Sequence, residues 1–285
     1  MPKTILIQLD CDPQPSTFDA VVAVDAGADV LLRHGGVTPA TVEPLVHGAM
    51  FTRGGADLAS TAIFIGGSDV AAAEAVAAKV RATFFGPVRV GVLVDPNGAN
   101  TTASAAVIAA ARHVAVGPGC RACVLGGTGP VGQRVARLLA GKGARVTIAS
   151  RSAERAAEAA GRIGKAASGA AVTAASGAVE LAAAIAAADV LVAAGAAGVT
   201  LLDEPGRRRA VAARVIIDLN AVPPAGIAGV VATDKARQDG QATVYGALGV
   251  GGTKMKIHKA AIARIFADPA AFLDAEELLA IGERL

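Results

Sequence analysis

Gly127, Gly129 and Gly132 keep G-x-G-x-x-G spacing inside the stretch VLGGTGPVG at residues 124–132. Glycines so spaced could be a plain turn in a glycine-rich chain, but between an apolar run and the helical pattern QRVARLLAGKG they fit a loop that brings a pyrophosphate against main chain. Gly127 permits a tight turn, Gly129 lets phosphate approach the backbone, and Gly132 lets a helix lie close on a sheet. Free N–H groups and the positive dipole end of that helix then face the anion. Thr128, Pro130 and Val131 belong to the same loop. A second strand ends about 20 residues on, in TIASRSAER, where an NAD-selective site carries Asp or Glu for the ribose 2′-hydroxyl. Here Ser150, Arg151 and Ser152 stand instead, with Arg155 one helical turn further. A guanidinium and two hydroxyls suit a 2′-phosphate by charge and by fork geometry. NADP is the expected coenzyme, with NAD left open as a second.

Two other stretches carry groups for chemistry. In YGALGVGGTKMKIHK (245–259), glycines at 246, 249, 251 and 252 precede a helix bearing Lys254 and Lys256. This predicts a second close-approach loop near the nicotinamide end, with Gly249 at the coenzyme. Ala194 and Asn220, at the ends of the strand patterns ADVLVAAG and RVIIDLN, join the coenzyme-facing set. In DPNGANTTASAA (95–106), Asn97, Asn100, Thr101 and Thr102 follow a strand, where open α/β sheets present ligand groups. Helix capping accounts for at least one of them. Asp19 in STFDAVV and Arg53 in FTRGG are further substrate-facing candidates, though Asp19 also fits a capping box with Ser16. Two lysines two residues apart on a helix point to different sides, so one of them, Lys256, is the catalytic candidate. His258 is expected to be structural, and no cluster of His, Cys and carboxylates suggests a metal.

The elements that must position these groups alternate. Strand patterns TILIQLD, TAIFIGG and VRVGVLVD are separated by helical ones. These start at Ser16, at TPATVEPLVHG with Thr38 as cap and Pro39 in the first turn, and at DVAAAEAVAAKVRATFFGP, closed by Gly86 and Pro87. After the turn GPG at 117–119 the alternation restarts, and from residue 251 the pattern is helical apart from a turn near Pro269. Such alternation means βα units and a mostly parallel sheet. The chain of 285 residues is comfortable for two domains of about 140 each. The expected division is 1–116 with 255–285 as substrate domain, and 117–254 as a Rossmann-type dinucleotide domain, with a cleft between them.

Composition narrows the function classes. With 53% hydrophobic residues, no Trp and one Tyr, the core is built of Ala, Val, Leu and Ile. A net charge of +3 from 27 basic and 24 acidic residues is too balanced for a nucleic-acid or anionic-membrane partner. The most apolar stretch, 181–202, is split by Asp189, Gly195 and Gly198, and reads as helix, turn and buried strand rather than a membrane span. Three cysteines, Cys11, Cys120 and Cys123, give no disulfide framework and point to a reducing compartment. A cytoplasmic homo-oligomer is expected.

FDAVVAVDAGAD, FTRGG, STAIFIGG, FFGPVRV, NGANTTA, GGTGPVG and GALGVGG followed by two lysines and a histidine, in this order and spacing, resemble the methylene-tetrahydromethanopterin dehydrogenases of methylotrophic and related bacteria. The resemblance runs from residue 4 to about 280. It implies two α/β domains around a deep cleft and oxidation of a one-carbon methylene group on a reduced pterin, with NADP, or NAD and NADP, as acceptor. Loss of hydride from a carbon between two nitrogens leaves a cation spread over N–C–N, and no proton need move. Catalysis then rests on alignment at about 3–3.5 Å. Carboxylates could stabilise the developing charge, with Asp10, Asp12, Asp19 and Asp95 as candidates by position. A protonated Lys256 would oppose that charge, so it binds a pterin carbonyl or anionic group, or is deprotonated by burial. The similar methylene-tetrahydrofolate dehydrogenase/cyclohydrolases carry a Tyr-x-x-x-Lys pair in the first domain; here the only tyrosine is Tyr245, so no cyclohydrolase activity is expected. Shikimate dehydrogenases need a substrate-domain lysine that NGANTTASAA lacks.

Overall fold

The computed structural model describes residues 2–167 and 170–285. In chain order the elements begin β1 (Ile5–Asp10), α1 (Thr17–Asp25), β2 (Val30–His34), α2 (Glu43–Phe51), β3 (Thr61–Gly66), α3 (Val70–Thr83), β4 (Gly91–Val94) and α4 (Ala99–Ala111). There follow β5 (Arg121–Leu125), α5 (Pro130–Gly141), β6 (Arg145–Ala149), α6 (Ala153–Ala166), β7 (Val172–Ala175), α7 (Ala178–Ala187), β8 (Val190–Ala193), α8 (Glu204–Arg207) and β9 (Val215–Asp218). The chain then forms β10 (Lys235–Asp239), β11 (Ala242–Tyr245), α9 (Ala247–Ala267), β12 (Phe272–Leu273) and α10 (Ala275–Gly282).

Two compact units result: residues up to Thr101 together with Met255–Leu285, and Thr102–Lys254. The division falls inside α4 and α9, while Gly117–Gly119 is a turn within the second unit. The first unit holds a parallel sheet of order β12-β4-β3-β1-β2. Successive connections leave β1 in opposite directions, so the sheet has a switch point between β1 and β3, where ligands collect in open α/β sheets. In the second unit the order is β10-β11-β9-β8-β5-β6-β7, parallel except for the β10–β11 hairpin. Its switch point lies between β5 and β8. Both sheets follow the doubly wound plan that the alternation predicts.

Burial explains why these strands form. β3, β4, β8 and β9 are buried at every position, as strands covered on both faces must be. Ile7, Leu9, Ile63, Ile65, Val92 and Val94 build one side of the first core with Val46, Met50, Val76 and Val80 from α2 and α3. Helix starts are set by side chains that satisfy orphan N–H groups. Ser16 accepts from Asp19 N at 3.2 Å, Asp69 from Ala72 N at 3.1 Å, and Asp274 forms a capping box with Glu277.

Several boundaries differ from the pattern. α2 begins at Glu43 with Pro44 in its first turn; Thr38 and Thr41 instead close a separate turn, with Thr41 N donating to Thr38 O at 3.1 Å. α3 stops at Thr83, because Phe84 is extended and Phe85–Val88 forms a bridged turn around Gly86, whose φ is +55°. Residues 246–252 are not a loop: α9 starts at Ala247, so Gly249, Gly251 and Gly252 are helical. Residues 272–273, in the stretch with the helical pattern, form β12 and extend the first sheet beside β4.

Close approach, not turn geometry, explains Gly91, where a Cβ would lie 2.1 Å from the carbonyl oxygen of Ile265 on α9. Gly251 has nothing within 4 Å of a built Cβ. Gly91→Ala should therefore destabilise the protein by about 1–3 kcal/mol through overpacking. Gly251→Ala should stabilise it by about 0.5–1 kcal/mol through helix propensity. Thermal and urea unfolding of the two variants checks the pair; equal effects would contradict this placement of α9.

Candidate functional site

The glycine loop joins β5 to α5 at the switch point of the second sheet. The left-handed residue of the turn is Gly126, with φ +68°, rather than Gly127. A Cβ on Gly126 would meet the Gly195 backbone at 2.9 Å, and one on Gly127 would lie 2.8 Å from Ile148 Cγ2 on β6. Gly132 would collide with the Gly126 carbonyl oxygen at 2.6 Å, so it does hold the helix close to the turn. Gly129 differs from these three. Its built Cβ meets nothing nearer than 3.4 Å, and it is the N-cap of α5 with no side-chain cap. The chain's own packing leaves it free to be any small residue; a pyrophosphate approaching the first turn of α5 would require it bare. The loop therefore fits a dinucleotide.

Around it stand the other coenzyme candidates. Ser150 follows β6, its N–H donating to Ala175 O at 3.1 Å and its Oγ lying 3.4 Å from Thr128 Oγ1. Ser152 caps α6, accepting from Arg155 N at 3.3 Å, and Arg151 and Arg155 are exposed beside it. Ala194 follows β8, its N–H tied to Leu125 O at 2.9 Å. Asn220, beyond β9, turns its side chain into its own loop: Nδ2 donates to Pro224 O at 3.0 Å and Oδ1 accepts from Val222 N at 3.0 Å. It shapes the loop rather than presenting a free amide. Because β9, β8, β5 and β6 are adjacent, these loops share one carboxyl edge. Gly249 lies at that edge too, because β11 is parallel to β9 and α9 starts just beyond it, but its bare face is turned to the chain itself. Its built Cβ would lie 1.8 Å from the carbonyl oxygen of Asp234, and Gly246 would meet Val231 O at 2.1 Å. These glycines admit the 231–235 loop against the start of α9, where Leu248 N donates to Ala232 O at 2.8 Å. Asp234 is in turn held by Arg237 at 2.7 Å, and that guanidinium keeps its carboxyl below the usual range.

In the first unit a cavity of about 290 Å³ opens at the β1/β3 switch point, lined by Asp12, Ser16, Phe18, Asp19, Ser68 and Asn97 among others. It brings together two predicted substrate residues, Asp19 and Asn97. The carboxylate of buried Asp10 holds two of the lining residues in place by accepting from Asp12 N at 2.9 Å and Ser16 N at 3.0 Å. Asp12 accepts both Ser68 N at 2.9 Å and Ser68 Oγ at 2.8 Å, joining the ends of β1 and β3. Phe18 opens the stretch FDAVVAVDAGAD but nothing there marks it as a site residue, and Ser68 lies in no motif; the strand order reveals both. Asn97 is left-handed, with φ +53°, and is exposed.

The other five candidates are not among its lining residues. Asn100 and Thr101 are wholly buried. Asn100 Nδ2 donates to Val94 O at 2.6 Å and Asp274 Oδ1 at 2.7 Å, and Thr101 Oγ1 to Asp95 Oδ2 at 2.6 Å. They support the loop from within instead of facing a ligand. Arg53 Nη1 donates to the carbonyls of Lys3 and Ser60 at 3.0 and 2.8 Å. Those residues precede β1 and β3, so Arg53 lies at the amino edge of the sheet, a strand length of roughly 20 Å from its carboxyl edge. It clasps strand starts and does not line the cavity. Thr102 is half-buried on α4, and Lys256 is exposed on α9. His258 is fully buried and stacks on Phe64 at 5.7 Å. Among the described residues no group of three or more His, Cys, Asp or Glu could hold a metal, and no helix is long and apolar enough to cross a membrane.

A parallel α/β unit with a pocket at its switch point, and a second with a glycine loop at its own, define a dinucleotide-dependent dehydrogenase. The N-terminal model of methylene-tetrahydromethanopterin dehydrogenase matches residues 17–97, and that of shikimate/quinate 5-dehydrogenase matches residues 110–236. The chain is 43% identical over 287 residues to the "Bifunctional protein MdtA" of Methylorubrum extorquens, covering 100% of both. It is 33% identical over 269 residues to that organism's NAD(P)-dependent methylenetetrahydromethanopterin dehydrogenase, covering 89% of each. The 5-ketofructose reductase of Gluconobacter shares the fold, with a TM-score of 0.54 at 15% identity over 99% of each chain. The chain belongs to the methylene-tetrahydromethanopterin dehydrogenase family.

Thiol reactivity reports on these surroundings. Burial, then the charges of Asp10, Asp12 and Asp69, raise the Cys11 thiol above its ordinary value. Burial also raises Cys120 and pushes Cys123 up to about 12. A raised pKa lowers the thiolate fraction at any pH below it. At pH 8, iodoacetamide should label half-buried Cys11 first but more slowly than free cysteine, with the rate still climbing past pH 9. Cys123 should react only after denaturation. Peptide mass spectrometry reads the order; rapid labelling of Cys123 in the native protein would contradict its environment.

Proposed function

We propose that this chain is an NAD(P)-dependent methylene-tetrahydromethanopterin dehydrogenase, removing hydride from the methylene carbon of the reduced pterin to give the methenyl form. The observation that carries the reading is the 33% identity, across 89% of both chains, to a relative of that name. The glycine loop agrees with it. When bound, NADP supplies the nicotinamide that accepts the hydride. Residues 126–132 would hold its pyrophosphate, and Ser150, Arg151, Ser152 and Arg155 its adenosine 2′-phosphate. No carboxylate stands at the end of β6 to repel that phosphate.

The switch-point cavity supports a pterin site in the first unit. A 2-amino-4-oxo pyrimidine edge offers two N–H donors, which suit the carboxylates of Asp12 and Asp19. Phe18, 54% exposed, offers an aromatic face to a planar ring. Asn97 adds a polar group at the rim, and Lys256 remains the candidate for a pterin carbonyl or anionic group. With all three thiols free, we place the protein in the cytoplasm, and we propose a homo-oligomer.

Purified protein should reduce NADP, followed at 340 nm, with methylene-tetrahydromethanopterin. Methylene-tetrahydrofolate in parallel tests the pterin choice. No hydrolysis of the methenyl product above the uncatalysed rate is expected, since Tyr245 is the only tyrosine and lies in the second unit. Failure with the methanopterin substrate alone would overturn the reading. For coenzyme choice, a charge-assisted hydrogen bond to phosphate contributes roughly 1.5–3 kcal/mol, and exposure of Arg151 pulls it to the lower figure. Arg151→Ala should raise the NADP Michaelis constant about tenfold and leave that for NAD nearly unchanged. Equal losses for both would mean Arg151 holds the fold rather than the phosphate.

A further inference from the structure

The first turns of α5 contain a side-chain relay that the glycine motif does not describe. Gln133 continues the helix, its N–H donating to Gly129 O at 2.9 Å. Its side chain folds back instead of extending outward. Nε2 donates to the carbonyl of Thr128 at 2.7 Å, and Oε1 accepts from Arg162 Nη2 on α6 at 2.6 Å. The amide can take only this orientation, because a carbonyl only accepts and a guanidinium only donates. The same peptide is held from its other side, where Gly129 N donates to Gly126 O at 3.0 Å. The 128–129 peptide plane is thus fixed at both ends.

Fixing that plane fixes where the Thr128 side chain goes. Its Oγ1 lies 3.4 Å from Ser150 Oγ, at the end of β6. Ser150 Oγ also accepts from Ser152 N at 3.3 Å, so its position is set as well. Two hydroxyls from two different loops therefore stand side by side, next to Arg151. We propose that Gln133 is a positioning residue for coenzyme selection, holding Thr128 so that the Thr128 and Ser150 hydroxyls form a paired donor set for the 2′-phosphate of NADP. This rests on the reading that the end of β6 takes that phosphate. A phosphate offers several acceptor oxygens and engages both hydroxyls and the guanidinium, whereas a ribose hydroxyl in the same place engages one partner. Loss of the pairing therefore weakens NADP more than NAD. Arg162 acts from outside: its side chain is 58% exposed and its ion pair with Glu158 is long, at 3.7 Å, so its part is to orient the Gln133 amide.

Equilibrium binding tests the proposal without turnover. The chain has no Trp, so emission from bound NADPH or NADH is read on a low background. Gln133→Met, which keeps the length but loses both bonds, and Thr128→Val, which keeps the shape but loses the hydroxyl, should each raise the ratio of the NADPH Kd to the NADH Kd about three- to tenfold. The double variant should raise it no further than Thr128→Val alone, since both changes remove one interaction. Additive effects, or equal weakening of both coenzymes, would overturn the proposal by making Gln133 a general support of the loop. If Arg151→Ala shifts the ratio and neither Gln133→Met nor Thr128→Val does, the proposal fails while the 2′-phosphate reading stands. If none of the three shifts it, that reading fails too. Should Gln133→Met not fold, Gln133→Asn, too short to span both partners, carries the same expectation.

Discussion

Carboxylates buried at the ends of parallel strands hold the carboxyl edges of this protein's sheets in place. Asp10 ends β1, Asp95 follows β4 and Asp218 ends β9, each at most 1% exposed. A parallel strand that stops leaves its chain to turn over the carboxyl edge, and the N–H groups of that turn need acceptors. Each aspartate supplies two oxygens to its own loop. Asp10 accepts from Asp12 N and Ser16 N, Asp95 from Asn100 N and Thr101 N, and Asp218 from Asn220 N and Ile227 N. A buried charge is tolerated when hydrogen bonds replace its water. At Asp218 burial still wins, raising the carboxyl above its usual value despite the N–H donors around it. Gly226 is bare for the same reason, since its Cβ would sit 2.8 Å from Asp218 Oδ1.

The same constraint separates residues that shape a loop from those at its surface. Asn97, Asn100 and Thr101 look equivalent as polar groups after a strand. Once Asp95 gathers the N–H groups of 100 and 101, those side chains turn inward and Asn97 is left outside. Asn220 is drawn inward similarly. Sequence spacing locates the loop, but the inward or outward choice depends on an acceptor in the preceding strand.

The alternation of elements, the strand before GGTGPVG and the Ser-Arg-Ser end of β6 were legible because each is a local pattern with one physical reading. β2, β7, β10, β11 and β12 were not. VLLRH is half exposed with no alternation, VTAA is short and alanine-rich, KARQD is polar throughout, and β12 has two residues whose pairing depends on β4. The glycines of GALGVGG resemble a ligand loop because bareness alone does not say what comes close. At Gly246 and Gly249 it is the chain's own 231–235 segment. Arg53 in FTRGG failed as a ligand for a related reason: a loop motif does not reveal which edge of the sheet it occupies, and the carbonyls of Lys3 and Ser60 do.

The first unit is finished by a strand that the ribosome delivers late. β12 is the edge neighbour of β4, yet it emerges about 180 residues after it, a delay of roughly ten to forty seconds at ordinary elongation rates. Throughout that interval β4 has an open edge, and the Ile265 turn of α9 that meets Gly91 is also unmade. The second unit, by contrast, has all seven of its strands before α9 begins. Synthesis therefore proceeds from the inside out: the inserted second unit can close while its host waits with an unpaired strand, the state in which nascent chains are most exposed to edge-to-edge association and most dependent on chaperones.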